Sequence, residues 1–92
     1  MDYSYPFSIE WSTEEIIDVV RFFEAIERAY EKGITRQELF TCYRKFKKIV
    51  PAISEEKTFF REFEDESGYA SFPVIKEMKT GTDDKVIKLQ KK

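Results

Sequence analysis

Glu62, Glu64, Asp65 and Glu66 are the densest run of side chains that could hold a hard cation such as Mg²⁺ or Ca²⁺. At helical spacing they fan round the axis, and no oxygen-rich loop of calcium-binding pattern accompanies them, so a solvated face is expected. Glu14, Asp18 and Glu24 read the same way. The chain has no histidine, which removes the commonest general base and metal ligand. Ser–His and Cys–His nucleophile pairs are thereby excluded. One cysteine cannot supply the four ligands of a structural zinc site. Three scattered glycines build no phosphate-cradling loop. Two carboxylates can in principle hydrolyse a bond unaided, yet no pair stands out. The residues therefore predict no catalytic group, no metal and no cofactor.

Cys42 falls on the apolar face of its segment, where a lone cysteine acts as a small hydrophobe. A reactive thiol would need a cationic neighbour, and helical spacing turns Arg44 and Lys45 away from it. Tyr43-Arg44-Lys45-Phe46-Lys47-Lys48 is the segment most like a binding patch. On a helix, Arg44, Lys45 and Lys48 lie opposite the apolar stripe, while Tyr43 and Phe46 point inward. Such a face could contact an anionic partner, but without exposed rings for base stacking. The second candidate surface is aromatic. Tyr3, Tyr5, Phe7, Ile9 and Trp11 alternate with polar residues, as in an extended segment with one apolar face. Together with Phe22 they offer an apolar surface that either seals the core or meets a partner.

These groups must be held by a short chain. Ninety-two residues suffice for one domain. The net charge of −2 gives no basic excess for generic nucleic-acid or membrane-surface binding. No apolar run approaches the roughly 18 residues of a membrane span, and no signal-peptide start is present. Cytoplasm is the expected location, and the unpaired cysteine fits it. Charge is segmented: residues 1–31 carry eight acidic and two basic groups, residues 32–50 one and six. Residues 51–68 carry six acidic and two basic groups, residues 69–92 three and six. This alternation predicts antiparallel neighbours with complementary rims.

Ser12 with Glu15 is a capping box that starts a helix running to about Lys32, where Gly33 supplies a left-handed exit. Its apolar stripe, Ile16, Val19, Val20, Phe23, Ile26 and Tyr30, is widened by Phe22, Ala25 and Ala29, so the helix should be central. Thr35 with Glu38 starts a second helix, ended by Pro51. Ser54 is the expected cap of a third, closed by Gly68, with Tyr69 folding back on Phe63. A short fourth helix, about residues 71–79, should be anchored by Phe72, Val74, Ile75 and Met78. The expected architecture is all-α: a compact array of three longer helices and one short helix with an extended aromatic N-terminal arm. Its parts are the arm (1–11), the helical domain (12–80) and a polar, basic tail (81–92), frayed or loosely docked.

Tyr3-Ser4-Tyr5-Pro6, Trp11-Ser12-Thr13-Glu14-Glu15, Phe22-Phe23-Glu24-Ala25 and Ala29-Tyr30-Glu31-Lys32-Gly33 follow one another in an order that resembles the YktA-like family of small uncharacterised bacterial proteins, UPF0223. Tyr43-Arg44, Phe46-Lys47-Lys48, Val50-Pro51, Glu55-Glu56-Lys57, Arg61-Glu62-Phe63-Glu64 and Ser67-Gly68-Tyr69 continue the match over about residues 3–79. The resemblance implies a helical, cytoplasmic protein of Bacillus-type bacteria and carries no catalytic residues with it.

Function is then expected to be non-enzymatic. The first reading is a protein-interaction module, joined to another protein or to itself as a homodimer, through Trp11, Phe22, Tyr3, Tyr5 and Phe7. The second is a nucleic-acid-associated protein using Arg44, Lys45 and Lys48. A carboxylate-dependent hydrolase is the third, and no membrane partner is expected.

Overall fold

The computed structural model describes residues 5–81 and 86–90. Helix α1 (Thr13–Glu31) begins on the capping box: Ser12 Oγ accepts the Glu15 N–H at 3.2 Å, and the Glu15 carboxylate accepts the Ser12 N–H at 2.8 Å. It ends where the Lys32 and Gly33 N–H groups both donate to the Arg28 carbonyl, with Gly33 at φ 92°. Strand β1 (Ile34–Thr35) leads directly into α2 (Arg36–Ile49). Thr35 Oγ1 caps α2 by accepting the Glu38 N–H, but the Glu38 carboxylate pairs with Arg28 of α1 and does not return to Thr35. Half of the second capping box is thus exchanged for a tie between α1 and α2.

Helix α3 (Ile53–Ser67) starts two residues earlier than its Ser54 signal suggests. Its cap is Ala52, which makes no side-chain hydrogen bond. Ala52 itself is extended, and its carbonyl accepts the Glu56 N–H at 3.0 Å. Gly68, at φ 81°, closes α3, and Tyr69 returns to within 6.5 Å of the Phe63 ring. Helix α4 (Ser71–Thr80) follows. Strand β2 (Val86–Ile87) pairs antiparallel with β1, Ile34 opposite Ile87 and Thr35 opposite Val86. The Leu89 N–H then donates to the Ala29 carbonyl at 2.8 Å. The described end of the tail is therefore docked rather than frayed, and the helical array carries a two-stranded sheet that helical periodicity does not reveal.

The core is aromatic. Phe22 stacks on Phe46 at 4.5 Å between ring centroids, Phe23 lies 4.6 Å from Phe63, and Phe60 meets Phe22 and Phe46. Each such pair adds about 0.5–1.5 kcal/mol beyond the area it buries. Around them pack Val19, Ile26, Leu39, Val50, Val74 and Met78. Tyrosines seal the rim: Tyr30 donates to the Ala70 carbonyl at 2.6 Å, and Tyr69 to Glu31 at 2.7 Å. No described helix is long and apolar enough to cross a membrane.

Candidate functional site

The arm does not present its aromatic residues together. Tyr3 lies outside the described residues. Tyr5 is half-buried, its ring 6.0 Å from Phe63 and its hydroxyl donating to Glu27 at 2.6 Å. Trp11 packs on Phe59 at 5.2 Å. Phe7 is 55% exposed and Ile9 points to solvent. The period of two fails because a turn intervenes: the Ser8 carbonyl accepts the Trp11 N–H, and Ser8 Oγ accepts the Glu10 N–H. Phe22 is a correction. It is fully buried between Phe23, Phe46 and Phe60, because α2 and α3 cover the second stripe of α1. It cannot meet a partner in the folded chain.

Arg44, Lys45 and Lys48 are all exposed, but they do not act as one set. Lys45 lies three residues from Cys42 and contributes to its electrostatics, contrary to the expected separation. Arg44 and Lys48 belong instead to a face shared by α2 and α4. One depression there is lined by Phe40, Tyr43, Arg44, Lys47, Lys48, Met78 and Lys79. An adjoining depression is lined by Tyr43, Glu56, Phe60, Phe72, Ile75, Lys76, Lys79 and Thr80. Tyr43 and Lys79 belong to both, with the Lys79 ammonium 5.5 Å from the Tyr43 ring centroid. The two helices repeat one spacing: Phe40, Tyr43, Arg44, Lys47 on α2 and Phe72, Ile75, Lys76, Lys79 on α4. Each set reads i, i+3, i+4, i+7, so each lies along one helix face.

The face is apolar at its floor and cationic at its rim. Phe40 is 42% and Phe72 50% exposed, so Phe72 does not anchor α4 as its helical position suggested; it meets Phe60 in a T-shaped contact, 5.1 Å between centroids. The Arg44 guanidinium lies 5.9 Å from the Phe40 centroid. Glu56 is the one carboxylate lining either depression. It is buried, accepts the Tyr43 hydroxyl at 3.0 Å and faces the Lys47 ammonium at 3.5 Å. Burial, with that hydrogen bond, pushes the Tyr43 phenol up to about 12, so Tyr43 stays a neutral donor. The signal that could have located this face is the repeated aromatic–cation spacing. It passes unnoticed because helical periodicity assigns Phe72 to the core and leaves Phe40 off the apolar stripe of α2.

A second concavity gathers Arg21, Glu24, Ala25, Glu27, Arg28, Glu31, Glu38 and Cys42. Burial, then the Glu38 charge, raises the Cys42 thiol above its ordinary value, so it is no activated nucleophile. Burial, with Glu31 beside it, pushes Glu27 up to about 7. A carboxylic acid titrating there suits proton transfer. Here, however, its oxygen is engaged by Tyr5 of the arm. Glu62, Glu64, Asp65 and Glu66 are exposed, and no three such side chains gather as a metal site among the described residues.

A family model described as an uncharacterised protein family, UPF0223, matches residues 2–87. A UPF0223 protein of Lysinibacillus sphaericus is 61% identical over 89 residues, covering 97% of this chain and 94% of the relative. One from Bacillus cytotoxicus is 49% identical over 89 residues, covering 97% of this chain and all of the relative. One from Staphylococcus aureus is 42% identical over 91 residues, covering 99% and 100%.

Proposed function

We propose, from the premise that this chain belongs to the uncharacterised protein family UPF0223, that it is a non-enzymatic protein-interaction module whose working surface is the α2–α4 face. The observation that carries this reading is the exposure of Phe40 and Phe72 on one continuous surface beneath five cations, Arg44, Lys47, Lys48, Lys76 and Lys79. Apolar rings left in water with a polar rim are the chemistry of an interface. The same residues offer no nucleophile–base pair.

The test is recovery of the tagged full-length protein from its native lysate, with and without nuclease, beside the Phe40→Ser/Phe72→Ser variant. A protein partner that survives nuclease and falls by about tenfold in the variant is expected, the size of effect that losing an interface anchor gives. Equal recovery by a variant that melts like wild type would exclude this face. Partners that vanish with nuclease would favour nucleic acid at Arg44 and Lys48.

A further inference from the structure

We propose that the α2–α4 face receives an acidic amphipathic helix of a partner protein. Its apolar side chains would enter the two depressions and its carboxylates would meet the cationic rim. The inference rests on the interaction-module reading and names the chemistry of the partner. Three observations carry it.

The first is shape. Two apolar depressions lie in succession, one floored by Phe40 and Met78, the other by Phe60, Phe72 and Ile75, with Tyr43 and Lys79 between them. Helix-in-groove recognition uses such an arrangement, taking anchors spaced at i, i+3 or i+4, and i+7.

The second is charge. Five cations line the face, and its one carboxylate is already held by Lys47 and Tyr43. The chain as a whole is acidic, at −2, so an acidic segment is attracted here and discouraged on the rest of the surface. An acidic helix on this rim sets carboxylates against cations, whereas a basic helix would bury cation against cation.

The third separates a peptide from a nucleic acid. Single strands bind through open ring faces on which bases stack. Here the Arg44 guanidinium stands over Phe40 and the Lys79 ammonium over Tyr43. With a cation over each of these two rings, the floor suits aliphatic side chains better than stacked bases.

The experiment is fluorescence anisotropy of full-length protein with four labelled probes. The first is a synthetic helix of about 18 residues with leucine anchors flanked by glutamates. In the second, lysines replace the glutamates; in the third, glutamines replace the leucines. The fourth is an oligothymidine of about 15 nucleotides. The glutamate–leucine helix should bind at least about tenfold more tightly than the other three. Its affinity should fall about tenfold in Phe72→Ser and again in Lys76→Glu/Lys79→Glu, both checked for unchanged melting, and stay unchanged in Phe7→Ser. Preference for the lysine helix or the oligothymidine would overturn the inference. So would equal binding by a folded Phe72→Ser variant, or self-association in sedimentation that Phe72→Ser abolishes, since the occupant would then be a second copy. If no helix binds while lysate capture still depends on Phe40 and Phe72, the partner's chemistry is wrong and the module reading stands. If both fail, the module reading fails with it.

Discussion

Glu27 is a carboxyl held near neutrality by where it sits. It is half-buried between Tyr5 and the α1 surface, with Glu31 one turn on, and titrates at about 7 against its ordinary 4.5. The folded state therefore binds this proton more tightly than the unfolded chain does. The stability it contributes is complete below about pH 4.5 and is lost as pH rises through about 7. Glu27→Gln keeps an acceptor for Tyr5 and removes the charge. Its stability should flatten across that window and exceed wild type at about pH 8 by on the order of 1 kcal/mol, water screening the rest. Urea titrations at several pH values check this; parallel pH profiles for the two proteins would contradict it. Ser71 poses a smaller question at the same scale. Its Oγ is buried at the start of α4 with no hydrogen-bond partner among the described residues. An unpaired buried hydroxyl costs free energy, so Ser71→Ala should be neutral or stabilising by about 1 kcal/mol. A loss of that size in the urea midpoint would mean the hydroxyl is bonded in solution.

Among the elements, the connection between α1 and α2 is the least forgiving. Gly33 has φ +92°, and a Cβ there would lie 2.6 Å from Val86 Cγ1 of β2. Gly33→Ala should cost about 1–3 kcal/mol, part from backbone geometry and part from that clash. Adding Val86→Ala should return the steric part and leave the backbone part, which a double-mutant cycle in urea separates. This glycine was legible as a helix exit because capping is local: Ser12, Thr35, Gly33 and Gly68 each act within a few residues of themselves. Apart from the Ser54 cap, displaced to Ala52, what failed was non-local. Helical spacing gives Phe22 and Phe72 the same standing, yet one is the centre of the core and the other half in water. Which it is depends on what covers each helix: α2 and α3 lie over Phe22, and nothing described lies over the α2–α4 face. The basic patch was visible as Arg44 and Lys48. Its other half, Lys76 and Lys79, comes from a different element, and no local pattern announces that the two meet.

At the scale of the molecule, charge alternates along the chain but is sorted in space. The two basic stretches do not each find an acidic neighbour; α2 and α4 meet at one face, and Arg36 Nε donates to the Met78 carbonyl at 2.7 Å beside it. The last strand helps to fix this arrangement. Ile87 is buried, Val86 pairs with Thr35 at the cap of α2, and Leu89 donates to Ala29 near the end of α1. The end of α1, β1 and the cap of α2 are thus tied by a few residues beyond α4, the helix that lines both depressions. Truncation after Gly81 removes one buried isoleucine and the hydrogen bonds of the β1–β2 pair. It should cost about 2–4 kcal/mol, a large share of what a chain of this size holds in reserve. At about 4–8 °C for each kcal/mol, the melting temperature should fall by on the order of 10–30 °C. Ile87→Ala alone should produce a good part of that fall, because the lost burial acts through β1 on the packing of Ile34. A truncated chain that melts like the full one would show that α1 and α2 hold their corner without β2. It would also assign the order of the α2–α4 face to the aromatic core.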